Sequence, residues 1–319
     1  MPKTPTTFTS DQLELYLQRI QYADDATGAV SSRLERLQNS VKQDPLAALT
    51  ELQRRHLGAI PWGNSALHYS NHHTISTHPS CVFEKLVVRR LDGYCMENTN
   101  LLYVVLRTLG YQVYPTGGRV SCALASGNPA DEGYVSLSHM VLIVTITGQK
   151  YMVDVGFGRN GPTCPLPLIE NASATLITPS EMRLIKTSLA ESVDQTQKFW
   201  VYQARSNPGS PWGPNYSFSE MEFLPQDFSM MNFATSKNPS SWFTQRLVCT
   251  RVILSEAAEP VGIYIMSGTE VKKILRGESE VVATLNTEED RVRAMAEYFG
   301  MHFHEHEVEG IRGLPSQIR

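Results

Sequence analysis

Apolar residues recur at helical spacing along the amino-terminal part of the chain. The pattern predicts helices over residues 10–22, 30–41 and 44–56. The third helix opens with Asp44, a residue type that caps helices, and continues with Pro45, which is favoured at the first helical position. We expect these helices to form a helical lobe.

A further helix is predicted from Cys95 to Leu109, where Gly110 ends it. Its apolar positions, which include Leu102 and Val105, follow the helical period and are dense enough for a buried helix. The prediction places Cys95 in or near the first helical turn.

The hydrophobic period changes after this helix. Runs of β-branched and aromatic residues alternate with turns that contain glycine, as in antiparallel sheets. A two-residue turn at Gly148 and Gln149 is expected to join two of the strands, and the proline-containing segment 160–167 is expected to cross between lobes. A helix over residues 287–299 follows. The strands are predicted at residues 111–114, 119–124, 140–146, 151–155, 199–203, 252–254 and 261–265.

The composition excludes several classes of protein. The chain has 319 residues, 41% of them hydrophobic and 19% charged, so it can bury a sizeable core and is not intrinsically disordered. The net charge of −4 excludes a broad basic surface, and we expect no nucleic acid partner. Because no apolar run reaches about 18 residues and no secretory signal is visible, we expect no membrane contact and a cytoplasmic location.

The cysteines and histidines give little sign of a metal centre. The five cysteines form no CxxC pair, which argues against a disulfide framework and a cysteine-rich zinc site. His302, His304 and His306 alternate on one face of a possible strand, an arrangement compatible with zinc or copper ligands. The neighbouring glutamates favour a solvated terminal strand instead, so we expect no metal.

Cys95 is the first candidate for chemistry. A thiolate at a helix amino-terminus faces unpaired backbone N–H groups and the positive end of the helix dipole, so its pKa is expected to fall. The same N–H groups could stabilise a tetrahedral oxyanion. The competing interpretation is a small buried hydrophobic residue, which is the commoner role of a cysteine.

A thiol nucleophile needs a base, and that base needs an orienting group. His139 begins one apolar run and Asp154 ends the next, where a buried carboxylate requires a partner. A turn at residues 148–149 would place Ile143 opposite Asp154, which leaves the histidine and the aspartate roughly 13 Å apart along the ladder. They would share one face of the sheet, but a bulge, bend or different register must bring them together.

Three motifs occur in the order that a known family uses. Tyr94–Asn98 resembles the nucleophile motif of the arylamine N-acetyltransferases, Ser138–His139 resembles the family's histidine motif, and Asp154–Gly158 resembles its aspartate motif. The resemblance covers nearly the whole chain, and the region beyond residue 160 is most similar to fungal members. Shorter matches lie at residues 16–20, 60–64, 83–87 and 239–243.

The resemblance implies a multidomain α+β fold in three parts. A helical bundle over residues 1–110 would carry the cysteine. An antiparallel β-barrel with an interdomain segment, over residues 111–225, would carry the histidine and the aspartate. An α/β lid would occupy residues 226–319. The centre would be a Cys-His-Asp core like that of cysteine proteases.

The resemblance also implies ping-pong chemistry. The Cys95 thiolate, paired with His139, would attack the thioester of acetyl-CoA and release CoA. An arylamine, arylhydrazine or N-arylhydroxylamine would then take the acetyl group, while Asp154 holds the imidazole in the useful tautomer. No permanently bound cofactor is expected, because the acyl-CoA is a cosubstrate. Some fungal relatives use malonyl-CoA, which leaves an N-malonyltransferase as an alternative.

Substrate contacts are implied for six further residues. Ser240 would contact CoA, and Val135–Ser136 would contact the cofactor near the cleft. Three residues next to the catalytic motifs would line the acyl and amine pocket: Ser138, Phe157 and Gly158.

The sequence departs from the family pattern at two places. The family usually has Arg-Gly-Gly where this chain has Leu91-Asp92-Gly93, and a carboxylate so close to the thiolate would raise the pKa of the cysteine. Arg89 and Arg90 are candidates to neutralise it. Trp62 and Gly63 replace the usual Phe-Glu and would reshape the floor of the pocket.

Two other functions could use the same residues. A thiol hydrolase or transglutaminase-like enzyme would release free carboxylate and would not depend on CoA. A catalytically weak homologue would bind a ligand or partner without forming an acyl-enzyme. The mass of the intact protein after exposure to an acyl-CoA would distinguish these possibilities from an acyltransferase.

Overall fold

The helices begin where the sequence supplies caps. The computed structural model describes residues 6–23 and 32–318. Thr9 and Gln12 form a reciprocal capping box at the first helix, and the Asp44 side chain accepts hydrogen bonds from two N–H groups of the third. The helices are α1 (Ser10–Arg19), α2 (Arg33–Gln43), α3 (Pro45–Ala59), α4 (Pro79–Phe83), α5 (Cys95–Thr108), α6 (Cys122–Ser126), α7 (Pro225–Lys237), α8 (Trp242–Gln245), α9 (Glu288–Phe299) and α10 (Glu305–Val308).

The predicted helices α1, α3, α5 and α9 are confirmed, with ends that differ by up to a few residues. The predicted second helix is present as α2, while residues 30 and 31 of that prediction lie outside the described residues. No helix in the described part of the chain is long and apolar enough to cross a membrane.

Within the described residues the strands form two antiparallel sheets. The larger sheet is barrel-like and has the order β5-β4-β3-β2-β9-β8-β7-β6, and the smaller has the order β1-β10-β11-β12-β13. The strands are β1 (Trp62–Gly63), β2 (Gln112–Ser121), β3 (Tyr134–Ile146), β4 (Gln149–Val153), β5 (Leu166–Pro167), β6 (Ser173–Thr175), β7 (Glu181–Thr187), β8 (Phe199–Arg205), β9 (Gly213–Phe218), β10 (Val248–Leu254), β11 (Pro260–Ser267), β12 (Glu270–Leu275) and β13 (Glu278–Thr284).

Three apolar clusters hold these layers together. One joins the helices to the face of β3 that carries Leu142 and Val144, and a second fills the interior of the barrel-like sheet around Val141 and Tyr216. The third lies between the smaller sheet and α9. The expected α+β class with a helical part, a barrel-like sheet and a second sheet is therefore confirmed, while the domain boundaries at residues 110 and 225 stay a prediction.

The hairpin between β3 and β4 differs from the predicted one. Ile146 pairs with Gln149, so the turn residues are Thr147 and Gly148, with φ values of 48° and 85°. Two positive φ values suit the tight turn that matches strand twist. The expected turn at residues 148–149 is wrong because Thr147, a β-branched residue, adopts the left-handed conformation.

Two local predictions were also wrong. Residues 122–124 belong to α6 rather than to a strand, because Ser121 caps a short helix there. The predicted terminal strand at residues 302–307 instead leads into α10, so its histidines do not alternate on a strand face.

Candidate active site

Cys95 is the first residue of α5 and is 5% exposed. The Glu97 carboxylate accepts a hydrogen bond from the Tyr94 N–H at 3.2 Å, which fixes the turn that leads into the helix. The N–H groups of Cys95 and Met96 have no acceptor within the helix, because the first turn of any helix lacks one. The thiol therefore lies beside donors suited to an oxyanion.

A buried polar network ties the loop before Cys95 to the helical bundle. Tyr16 Oη lies 3.1 Å from His56 Nδ1, and His56 Nε2 lies 3.2 Å from Asn98 Oδ1. The Asn98 amide donates to the carbonyls of Pro61 and Gly93. Burial lowers the pKa of His56 to about 3, so this imidazole is neutral and serves as a structural link.

His139 and Asp154 meet despite lying on different strands. His139 Nε2 is 2.7 Å from Asp154 Oδ2, and the two side chains are 2% and 0% exposed. The hairpin register places Asp154 just beyond the Leu142–Val153 pair, where the chain leaves β4 and turns towards His139. The other carboxylate oxygen accepts the N–H of Gly156 at 2.7 Å. Both oxygens of the buried carboxylate are therefore satisfied.

The imidazole of His139 is held between a carboxylate and a thiol. Burial acts to lower its pKa, but the charge and hydrogen bond of Asp154 outweigh burial, and a hydrogen bond with Cys95 adds to them, so the pKa of His139 rises to about 10. Because Nε2 bonds Asp154, Nδ1 is the nitrogen left for the thiol. The Cys95 Sγ also lies 3.5 Å from the Ser138 carbonyl oxygen. The arrangement favours an imidazolium beside a sulfur nucleophile.

Aromatic rings enclose the imidazole. The ring of Phe157 meets His139 edge-on at 5.1 Å between centroids, and Tyr216 lies 4.8 Å away. Trp62 lies over Gly158, where a Cβ would come within 2.7 Å of the indole. Phe243 contacts both Trp62 and Tyr94. The surroundings of the imidazole are therefore largely aromatic, which suits a planar aromatic substrate.

The loop after Asp154 packs against the start of α5. A Cβ on Gly156 would lie 2.5 Å from Thr99 Oγ1 and 2.6 Å from the Cα of Cys95. Only glycine allows this approach of the two backbones. The close contact sets the distance between the strand that carries the aspartate and the helix that carries the thiol.

The substrate-contact residues expected from the sequence occupy different places. Ser138, Phe157 and Gly158 adjoin the Cys95, His139 and Asp154 cluster. Val135–Ser136 lies at the start of β3, with Ser136 exposed. Ser240 is exposed on the loop between α7 and α8, where its N–H bonds Asn238 Oδ1 at 2.9 Å. Their expected roles in substrate binding stay predictions.

Asp92 occupies space that a side chain at residue 63 would need. A Cβ on Gly63 would overlap Asp92 Oδ2, and Asp92 is 0% exposed. Its carboxylate accepts hydrogen bonds from the N–H and the hydroxyl of Ser65. The two departures from the family pattern are therefore one change, in which a glycine at 63 makes room for a carboxylate at 92.

The expected neutralisation of Asp92 by Arg89 or Arg90 is wrong. Arg89 forms an ion pair with Glu307 at 3.0 Å instead. Burial raises the pKa of Asp92, and the positive charge of Lys85 and the Ser65 hydrogen bonds oppose that rise. Lys85 in turn bonds the Glu97 carboxylate at 2.6 Å.

Sequence reasoning missed two residues that hold the site. Gln53 donates its amide to the backbone carbonyls of Asp154 and Pro162, at 3.1 and 3.0 Å. Its polar side chain on the buried face of α3 was the available signal, because such a residue needs partners. Tyr216 adjoins the imidazole, and the available signal was its alternation with Phe218, which is the period of a strand.

Comparison with known proteins identifies the family of the chain. A family model described as N-acetyltransferase matches residues 45–308. The chain belongs to the arylamine N-acetyltransferase family. The match spans α3 through α10 and includes the three residues of the buried cluster.

Members of this family from fungi, animals and bacteria are similar to the chain to different extents. N-malonyltransferase FDB2 of Gibberella moniliformis is 34% identical over 98% of the chain and 93% of its own length. Arylamine N-acetyltransferase 1 of Homo sapiens is 27% identical over 80% of the chain and 81% of its own length. The structure of Mycobacterium marinum arylamine N-acetyltransferase in complex with CoA has a TM-score of 0.71 and 27% identity, and covers 94% of both chains.

Proposed function

We propose that the protein is an acyl-CoA-dependent N-acyltransferase that carries the acyl group on Cys95 and transfers it to an aromatic amine. The observation that carries the proposal is the His139 imidazole, held between the Asp154 carboxylate at 2.7 Å and the Cys95 thiol. Family membership supports the acyl-transfer chemistry, and the aromatic side chains around the imidazole support an aryl acceptor.

The first half-reaction transfers the acyl group to the protein. The Cys95 sulfur attacks the thioester carbonyl, and the N–H groups at the start of α5 stabilise the oxyanion. Collapse of the intermediate breaks the bond to the CoA sulfur, and protonated His139 donates its proton to that leaving thiolate. Asp154 keeps the imidazolium oriented throughout.

The second half-reaction regenerates the thiol. The amine attacks the acyl-cysteine, and neutral His139 takes a proton from the nitrogen. The Cys95 thiolate leaves as the amide forms, and the imidazolium beside it restores the starting pair. Phe157 and Tyr216 flank the imidazole, and the half-buried Phe157 presents apolar surface to the ring of the amine.

Two donors are candidates, acetyl-CoA and malonyl-CoA. Similarity to the mammalian arylamine N-acetyltransferases supports the acetyl donor. The fungal N-malonyltransferase is more similar, at 34% identity over 98% of the chain, and supports the malonyl donor. We propose Ser240 and Val135–Ser136 as contacts of CoA, Ser138, Phe157 and Gly158 as contacts of the acyl and amine groups, and the cytoplasm as the location.

Intact-mass spectrometry after brief exposure to acetyl-CoA, malonyl-CoA or no donor tests the proposal. We expect one acyl group to be added to the wild-type protein, and the donor that labels it faster to be the substrate. Subsequent addition of an aniline should remove the label and yield the anilide.

Cys95→Ala should form no adduct, whereas the matched variant Cys81→Ala, which removes an exposed thiol, should label normally. Transfer by Cys95→Ala to an arylamine would disprove the mechanism. Release of free carboxylate in place of the anilide would instead support a thiol hydrolase, and absence of any adduct would support a catalytically weak homologue.

A further inference from the structure

A cavity lies on a part of the molecule that shares no lining residue with the Cys95 cluster. It has a volume of about 990 Å³ and is lined where α1, α3 and α9 end, against β10 and the segment that follows it. Cavities of this size commonly hold small-molecule ligands, which occupy about 300–1,000 Å³.

Arginine side chains dominate the charge of this cavity. Its described lining contains four arginines and two glutamates. Two of these charged residues form an ion pair with each other, because Arg55 Nε bonds Glu51 at 2.7 Å. Three guanidinium groups remain, those of Arg19, Arg90 and Arg251, with only the exposed Glu256 as a further carboxylate in the lining.

Arg19 is the least expected member of this group, because it is only 4% exposed. Its Nε donates to the Leu86 carbonyl at 3.1 Å, while its Nη2 is buried without a hydrogen-bond partner. Burial and the charges of Arg90 and Arg251 lower its pKa to about 9. A buried cation beside two others is costly unless an anion compensates it.

Arg251 and Arg90 complete the cluster from two other elements. Arg251 lies on β10 with its guanidinium carbon 5.7 Å from the centroid of the Tyr264 ring, and its buried Nε has no hydrogen-bond partner. Arg90 follows the helical turn 84–88 with a φ of 56°, a left-handed conformation that is unfavourable for a residue with a Cβ. Within residues 6–23 and 32–318, none of the three forms an ion pair with a carboxylate.

Backbone carbonyl groups near the cavity accept hydrogen bonds from only some of the N–H groups of its arginines. At the end of α1 the acceptor is used by Arg55, whose Nη1 donates to the Gln21 carbonyl at 2.6 Å. Arg19 uses one nitrogen on the Leu86 carbonyl. The remaining donors of Arg19 and Arg251 point to an anionic partner, because each guanidinium offers a planar fork that fits two oxygens of one group.

We propose that this cavity is a binding site for a phosphate-bearing small molecule of nucleotide size, separate from the acyl-transfer site. A phosphate dianion would offset the net positive charge of the lining and accept from Arg19, Arg90 and Arg251 together. The volume of about 990 Å³ exceeds the needs of phosphate alone and leaves room for a larger organic part beside Tyr264.

Thermal unfolding in inorganic phosphate, ADP or CoA, each against chloride at matched ionic strength, tests the site. A ligand that binds the folded state raises the unfolding midpoint in proportion to its occupancy. We expect phosphate and ADP to raise the midpoint of the wild-type protein. Arg90→Gln and Arg251→Gln should each weaken the apparent affinity about tenfold, as loss of one charge-assisted hydrogen bond does.

Arg312→Gln is the matched control, because Arg312 is an exposed arginine whose side chain is 75% accessible and lies outside the cavity. It should respond to phosphate and ADP like the wild type. Arg90 is itself exposed, so its variant should fold even if Arg251→Gln does not. If both variants keep the midpoint shift that CoA causes in the wild type, that shift arises from the acyl-transfer site, and CoA is not the ligand of this cavity.

Two results would overturn the proposal. One is the absence of any midpoint shift in phosphate or ADP. The other is an equal shift in Arg90→Gln, Arg251→Gln and the wild type.

Discussion

Two buried aspartates lie near the start of α5, and their surroundings differ in how the charge of the carboxylate is compensated. Asp154 bonds His139 at 2.7 Å and the Gly156 N–H at 2.7 Å, so its negative charge is compensated by a cation and a dipole. Asp92 accepts hydrogen bonds from the N–H and hydroxyl of Ser65, and burial raises its pKa against the opposing charge of Lys85. Burial alone therefore does not indicate catalysis. The partner determines whether a buried carboxylate holds a charge for chemistry or fills a place in the fold.

Asp154→Asn should have the largest effect on activity. The amide keeps the shape but lacks the negative charge that orients and stabilises the His139 imidazolium, so we expect acylation of Cys95 to slow by about three orders of magnitude or more. Stopped-flow release of CoA measures this step. If Asp154→Asn kept more than about a tenth of the wild-type rate of acylation, Asp154 would not differ from Asp92 in its importance for catalysis.

Gly63→Ala should destabilise the Asp92 region. The added methyl overlaps the Asp92 carboxylate and lies 2.8 Å from the Val248 carbonyl oxygen, so we expect the free energy of unfolding to fall by about 1–3 kcal/mol. Gly209→Ala, at a glycine whose nearest neighbour atom would be 3.4 Å away, is the matched control. Urea unfolding monitored by tryptophan fluorescence compares the two.

The double variant Gly63→Ala/Asp92→Gly sharpens this result, because removal of the carboxylate should restore part of the lost stability. The Val248 carbonyl prevents full recovery. If the double variant were as unstable as the sum of the single variants, residues 63 and 92 would not form one linked change.

The pH dependence of stability should reveal the His139–Asp154 pair. The pKa of His139 is about 10 in the folded protein, above its ordinary value of 6.5. The stabilisation that the protonated His139 gives to the folded state is therefore complete below about pH 6.5 and is lost as the pH rises towards 10. The difference in unfolding free energy between the wild type and Asp154→Asn should shrink across this window. A difference that stays constant from pH 6.5 to 10 would contradict an ionised pair.

Asp92→Asn should have the smallest effect. The carboxyl tends towards its neutral form when buried, and an amide can still accept from the Ser65 N–H, so we expect a change in unfolding free energy of less than about 1 kcal/mol. Acylation of Cys95 should stay within about threefold of the wild type. A large loss of the acylation rate, without loss of stability, would show that Asp92 acts on the thiol after all.

Parts of the site could be predicted from the sequence because they depend on local signals. The apolar period predicts the helix that begins at Cys95, and Gly110 marks its end. The strand-ending position of Asp154 indicates a need for a partner. The contact between His139 and Asp154 could not be predicted from register. Thr147 rather than Gln149 lies in the turn, so the offset between His139 and Asp154 along the two strands is two residues instead of the expected four. The bend of the chain at the end of β4 closes the remaining distance.

Non-local features escaped prediction for a different reason. The arginine cavity combines α1, the turn before Cys95 and β10, which are distant in the sequence. His68 is 0% exposed because the segment around Phe243, far along the chain, covers it. Such burial depends on which elements pack together.

The short strand β1 has a mechanical consequence. Trp62 and Gly63 pair with β10 of the smaller sheet, while Trp62 also bridges to Gly93, two residues before Cys95. The smaller sheet and the loop before Cys95 are thus joined through the same two residues. A shift of Trp62 would therefore displace both β10 and the turn that leads into α5.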